Sequence, residues 1–257
     1  MKAGWIGFPR ENEDFWQAVT AYAKMGYKGM EGGEALLGNE NGNDNENISR
    51  FHELGLEVLT ISTSIYEIKE SLEPIIERAK LLKTNRATMW FGSMMFDTQP
   101  TKADFYAELE SMEKAAAELA KENIQLCYHN HDKEFVRCYD NVTAIDHMLL
   151  NTQHLKLELD VAWTAWAGLD PVTIIKRCNS RIAAIHMKDY TDAAPRSGET
   201  PVFTSLGTGT VDIVGILQCL HELGHEWAIY EQDNLRNLSG YESMMLSCLY
   251  MKETGLF

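Results

Sequence analysis

The sequence predicts an α/β fold, a (β/α)8 barrel that takes up residues 1–257 as a single domain. Three observations carry this. Short apolar runs recur eight times along the chain. Helical patterns fill the intervals between them. The first run leads into Gly7-Phe8-Pro9-Arg10, without the GxGxxG turn that an open doubly wound sheet normally shows.

The apolar runs lie at residues 3–8, 29–31, 56–62, 87–91, 124–129, 155–160, 182–186 and 227–231. Most recur after about 26 to 37 residues, the size of one strand-helix unit. In the first interval Phe15, Val19 and Tyr22 share a helical face, and Gly26 ends that helix. A polar Gly/Asn-rich stretch at 38–47 reads as a surface loop before the next helix. Phe105, Leu109, Met112, Ala116 and Leu119 form a longer stripe at the same period. Asp170-Pro171 reads as a cap with proline at the first helical position. Residues 192–210 read as a loop that is long for a plain connection. Asp212 can cap the helix carrying Ile213, Ile216, Leu217 and Leu220, with Gly224 past its end. The Met and Leu residues of 244–251 read as packing of the last helix.

A chain of 257 residues with 45% hydrophobic content buries a core without covalent staples. The five cysteines are scattered and form no CxxC pair, which points to a reduced, cytoplasmic compartment. No apolar run approaches the roughly 18 residues needed to span a bilayer, and the N-terminal stretch does not read as a signal peptide. Acids outnumber bases 38 to 23, a net charge of −15. That field repels phosphate backbones and argues against a nucleic-acid partner. A small neutral molecule or a bound cation is the better match.

In such a barrel, chemistry gathers where the strands end. The second strand ends in Glu31, the fifth in Tyr128-His129-Asn130-His131, and the sixth in Glu158-Leu159-Asp160. The seventh ends in His186-Met187-Lys188-Asp189 and the eighth in Glu231-Gln232-Asp233. Strand side chains alternate, so burying Leu155, Leu157 and Leu159 against outer helices turns Glu158 and Asp160 inward. Carboxylates and imidazoles at adjacent strand ends make a mixed O/N site for Mn²⁺, Mg²⁺, Co²⁺ or Zn²⁺. A lone histidine at a strand end is more often structural, and a lone Asp before a helix is more often a cap. Here Asp160 is followed by Val161-Ala162-Trp163 and the next helix start falls to Asp170, so the cap reading is set aside. Cys127 has the inward parity but lies one layer down. Trp5, Trp90, Trp163 and Trp166 could wall a pocket or fill the core. His147, His154, His221 and His225 read as surface or packing residues.

At these residues the chain resembles the sugar phosphate isomerase/epimerase family, the xylose isomerase-like TIM barrels. The stretches that carry the resemblance are YHNHDKEF (128–135), LELDVAWTAWAGLDP (157–171), IAAIHMKDY (182–190), LGTGTVD (206–212) and WAIYEQD (227–233), with GYKGMEGGE (26–34) at the second strand. The strand-five stretch places it with a branch carrying an HNH-type motif. The resemblance implies one divalent metal ion held by Asp160, His186 and Glu231, with Glu134 as fourth ligand and His129 or His131 as competitors for that place.

It also implies proton transfer through a metal-bound enediolate of a keto sugar. His131 is the expected base, and Lys188 the group that steadies the oxyanion or donates a proton. His129, Asn130, Trp163 and Asp233 are expected to bind substrate. Isomerisation or epimerisation is the first expectation, and lyase or dehydratase chemistry on 3-keto sugars or keto-glycosides through the same enolate is the alternative. A non-catalytic carbohydrate-binding barrel is a more distant one. A family of AP endonucleases shares the fold, but Trp163 stands where that class has a histidine. A phosphate cradle at 206–210 is disfavoured because the stretch holds no Arg or Lys. The expected partner is a small sugar, with no membrane or nucleic acid, and a homodimer is left open.

Overall fold

In the computed structural model, which describes every residue except 8–13, 39–42, 91, 96–97, 192–199 and 236–237, eight parallel strands close into a barrel. They are β1 (Lys2–Ile6), β2 (Gly29–Glu31), β3 (Glu57–Thr63), β4 (Arg86–Met89), β5 (Gln125–His129), β6 (Lys156–Asp160), β7 (Ile182–Met187) and β8 (Trp227–Tyr230). Each strand pairs with its neighbours in the sequence, and β8 closes on β1 with Lys2 opposite Trp227. The fold is the (β/α)8 barrel that the sequence predicts. The predicted first and fourth strands run further, to Phe8 and Phe91, which fall outside the described residues.

Helices follow the caps read from the sequence. Gly26 ends the helix Phe15–Met25 with φ of 120°, a conformation that glycine reaches without a Cβ clash. Asp170 and Asp212 accept hydrogen bonds from the first turns of Pro171–Cys178 and Ile213–Glu222. The predicted loop at 38–47 is shorter than expected, because Asn43 already caps a helix at Asp44–Glu53. Within the predicted loop at 192–210, Phe203–Thr204 pairs antiparallel with Asp189–Tyr190. Residues 39–42 and 192–199 of these two loops lie outside the described residues.

The strand parity predicted for β6 is the observed one. Leu157 and Leu159 join the large core between barrel and helices, while Glu158 and Asp160 are buried on the inner side. Trp5 packs edge-on against Tyr22 and Tyr27 in that core. The floor of the barrel holds a separate cluster of Leu59, Ala184, Trp227 and Ile229. Leu59 fits there because Gly4 and Gly29 leave room, and a Cβ on either would come within 2.6 Å of its methyl groups. Leu59→Ala is therefore expected to cost about 2–5 kcal/mol of stability, read as a lower urea midpoint with an unchanged slope. Among the described residues, no helix is long and apolar enough to cross a membrane.

Candidate metal centre and active site

Strand register assembles the site. His129 on β5 stands opposite Glu158 on β6, and Asp160 on β6 opposite His186 on β7. Glu231 follows β8 directly and is tied to β7 by its N–H, which donates to Met187 O at 3.1 Å. One ligand atom from each of His129, Asp160, His186 and Glu231 lies within 4.8 Å of the others, and all four residues are buried. A second, deeper group with the same spacing comprises Glu31, Glu158 and His186.

Asp160 has two duties. Its Oδ1 accepts from Trp163 N at 2.9 Å and so caps a short helix, Val161–Trp166. The sequence reading that set the cap aside is corrected by this contact. The other oxygen, Oδ2, faces Lys188 Nζ at 3.0 Å. Lys188 is itself buried and also reaches Glu231 Oε2 at 2.7 Å and Asp233 Oδ1 at 3.0 Å. Burial works against its charge, but Asp160, Glu231 and Asp233 outweigh burial and hold its pKa above the ordinary lysine value. Lys188 is thus a fixed positive charge, and of the two roles expected for it, the electrostatic one matches this environment.

His186 lies between carboxylates. Its Nδ1 is 2.8 Å from Glu231 Oε2, and its Nε2 is 3.2 Å from Glu31 Oε1 and 3.3 Å from Glu158 Oε1. Burial disfavours the imidazolium, yet Glu31, Glu158 and Glu231 together hold the pKa well above the usual imidazole value. Burial, with the Glu158 charge beside it, pushes Glu31 up to about 7. The cluster is built to favour positive charge at its centre.

The same atoms test whether a metal ion fits. Asp160 Oδ2, His186 Nε2, His129 Nδ1, Glu158 Oε1 and both oxygens of Glu31 are buried without a hydrogen-bond partner, although Asp160 Oδ2 pairs with Lys188 and the imidazole nitrogens lie 3.2–3.3 Å from the carboxylates of Glu31 and Glu158. Such orphaned donors and acceptors are costly unless something else engages them. Two imidazoles and two carboxylates converging from four strands match the donor set of a divalent transition metal.

The fourth place in the gathered set belongs to His129, and the expected ligand Glu134 stands outside it. Both Glu134 oxygens are already engaged, Oε1 by Tyr128 OH at 2.6 Å and Oε2 by His131 N at 2.9 Å. Burial raises its pKa while these two donors pull the other way. Glu134 pins the turn that carries His131. Asn130, expected to meet substrate, is fully buried and accepts from Asp160 N at 3.1 Å. That contact ties the end of β5 to the end of β6.

His131 remains at the edge of the cluster. Its ring lies 5.0 Å from that of His129 and 5.2 Å from that of Trp163. Burial, then the neighbouring His129 and Lys188, lower its pKa to about 2, so its imidazole is neutral and carries a free lone pair. The four tryptophans read from the sequence as pocket walls or core, of the six in the chain, divide. Trp5 and Trp166 are buried in packing contacts. Trp163 faces His131 and lies 5.9 Å from Lys188 Nζ, and Trp90 lies 5.9 Å from the His129 ring. Trp90 also borders a cleft of about 570 Å³ at the ends of β1 to β4, lined with Gly7, Gly32, Ser62, Thr63 and Ser64. A larger groove of about 950 Å³ runs between the outer helices beside Trp16 and Arg50, away from the strand ends.

The stretch 206–210 is closed to phosphate by the chain's own contacts. Asp189 accepts from Gly207 N at 3.1 Å, Gly209 N at 2.9 Å and Val211 N at 3.0 Å. The remaining amides go to Ser247 Oγ, Ser205 O and Tyr190 O. No amide of 206–210 is left for an incoming anion. Sequence reasoning disfavours a cradle here for want of Arg or Lys, and the stronger reason is this carboxylate, which the sequence places 17 residues away, at 189 against 206.

Comparisons with known proteins agree with the architecture. The chain is 24% identical to an inosose dehydratase of Lacticaseibacillus casei over 257 aligned residues, covering 85% of this chain and 82% of that protein. The solved structure of a probable 3-DHS dehydratase, AsbF, of Bacillus anthracis superposes with a TM-score of 0.75 at 17% identity, covering 98% of this chain and 99% of the other. The IOLI protein, solved with a bound zinc atom, superposes with a TM-score of 0.75 at 14% identity, covering 99% and 98% of the two chains. A family model matches residues 19–246, and with the closed eight-stranded barrel this shows that the chain belongs to the xylose isomerase-like TIM barrel family.

Proposed function

We propose that the chain is a divalent-metal-dependent lyase that dehydrates a non-phosphorylated keto sugar or keto cyclitol. The observation that carries this is the convergence of His129, Asp160, His186 and Glu231 beside the neutral ring of His131. His129, Asp160, His186 and Glu231 would hold the ion, which would supply the positive charge that makes a C–H next to a carbonyl acidic. His131 takes that proton. The electron pair left on carbon forms the new double bond as the β C–O bond breaks. His131 then returns the proton to the departing hydroxide, so the sum is loss of one water. Lys188, fixed between Asp160, Glu231 and Asp233, offsets negative charge as it develops on oxygen. Trp163 and Trp90 provide apolar faces against which a sugar ring can lie.

Two imidazoles in the ligand set favour Zn²⁺, Co²⁺ or Mn²⁺ over Mg²⁺, and the zinc in the IOLI protein is in keeping with this. Isomerisation or epimerisation stands first in the sequence reading and uses the same enolate. The similarity to proteins named as dehydratases moves elimination ahead of it. The engaged amides of 206–210 support a substrate without phosphate, so inorganic phosphate is expected to leave KM unchanged in steady-state assays.

The test is to incubate metal-loaded protein in D2O with a panel of inososes and 3-keto sugars, followed by NMR and mass spectrometry. Elimination removes the mass of one water and creates an enone. Isomerisation or epimerisation incorporates deuterium without that loss. If neither occurs with any member of the panel, the proton-transfer reading fails.

A further inference from the structure

The cleft at the ends of β1 to β4 opens at the same end of the barrel as the gathered residues, and the chemistry above leaves it unassigned. Two neighbours make it continuous with the metal centre. The Trp90 ring, which borders the cleft, lies 5.9 Å from that of His129. Gly32, also in the lining, directly follows Glu31, whose Oε1 is 3.2 Å from His186 Nε2. The volume of about 570 Å³ falls within the range of small-molecule sites, roughly 300–1,000 Å³. It has room for a ring beyond the one that reacts.

The chemistry of the lining selects the occupant. Ile6 and Trp90 supply hydrocarbon and indole surface, and Gly7 and Gly32 bring backbone without a side chain. A Cβ on Gly7 would meet nothing within 4 Å, so the space beside it is open. The polar residues of the lining are bonded within the protein. Thr63 Oγ1 donates to Glu67 Oε2 at 2.9 Å, and Ser64 Oγ accepts from Glu67 N at 3.2 Å, capping the helix Ile65–Glu70. Glu67 Oε1 pairs with Arg78 at 2.7 Å, which matches its charge. Ser62 N donates to Glu34 Oε1 at 2.5 Å. A polyol entering here would trade its water for groups that already have partners, whereas an apolar ring gains by leaving water.

We propose that this cleft is a subsite for an apolar ring carried by the substrate, so that the reactant is a keto sugar or keto cyclitol bearing an aryl substituent. The substituent takes no part in the bond changes. Its burial supplies binding energy remote from the reacting carbons, with Trp90 at the junction between the two parts. This inference rests on the keto-substrate reading above, and it is tested without turnover. Calorimetry compares phenyl and methyl β-glucopyranoside, which lack the ketone, on wild type, Trp90→Ala and Ser62→Phe. Wild type is expected to bind the phenyl glycoside at least about 10-fold more tightly than the methyl one. That ratio should shrink several-fold in Trp90→Ala, which removes aromatic surface, and in Ser62→Phe, which fills the cleft. Because the ratio is taken within one protein, a general loss of stability or metal does not imitate the result. Crystals soaked with 4-bromophenyl β-glucopyranoside should show the bromine anomalous peak beside Trp90 and Ile6.

Equal affinities in wild type, no detectable binding of the phenyl glycoside, a ratio undiminished in either folded variant, or bromine bound elsewhere would overturn the proposal. The two readings fail separately. A phenyl preference without turnover of any keto substrate removes the lyase reading and keeps the subsite. Turnover of keto sugars without a phenyl preference does the reverse.

Discussion

His131→Ala is expected to lower turnover about 10²–10⁴-fold, the span associated with losing a general base, while zinc still binds at one ion per chain. The separation of effects follows from position. His131 is held by the Glu134 carboxylate through its backbone N–H and lies outside the four gathered residues. Removing its ring therefore leaves the ion's carboxylates and imidazoles in place. Deuterium exchange at the substrate carbon should fall with turnover, because the proton transfer itself is lost. Loss of zinc together with turnover would instead make His131 a ligand. The measurements are initial rates, exchange monitored by NMR, and metal content of the same preparation.

Asp160→Ala is expected to abolish stoichiometric metal binding and to lower activity by at least about 10²-fold, in line with the several kcal/mol that a catalytic ion contributes. Glu231→Ala should do the same. The two variants differ in stability. Asp160 also caps the helix Val161–Trp166 through Trp163 N, so its loss adds about 0.5–2 kcal/mol of destabilisation. Among the described residues Glu231 caps no helix, and its loss leaves Lys188 with one fewer carboxylate. Metal analysis by plasma mass spectrometry and urea unfolding of both variants check these expectations. Full metal content in both would remove these residues from the ligand set.

The barrel is legible in the sequence because each unit repeats the same grammar, an apolar strand followed by a capped amphipathic helix. Strand parity alone turns Glu158 and Asp160 inward, since Leu157 and Leu159 require the helix side. Three of the four gathered residues, Asp160, His186 and Glu231, are legible in the sequence as candidate ligands at strand ends. The fourth is not, because it depends on what each acid near the end of β5 is already bonded to. Glu134 looks available in the sequence, and only the fold brings Tyr128 OH and His131 N onto its two oxygens. Membership of His129 follows from its register against Glu158, which a strand does not declare by itself. The capping role of Asp160 is hidden because the helix it caps has only six residues, two of them Ala and the others Val, Thr and two Trp, which is too short to show a helical period. The closing of residues 206–210 by Asp189 is a tertiary contact across a hairpin and has no local signature.

Anomalous diffraction from crystals grown with Mn²⁺ or Zn²⁺ tests the ligand set most directly. The account predicts one strong peak per chain, within about 2.0–2.3 Å of a nitrogen from each of His129 and His186 and an oxygen from each of Asp160 and Glu231. A peak coordinated by Glu134 in place of His129, a peak seated between Glu31 and Glu158, or no peak near these side chains would contradict it.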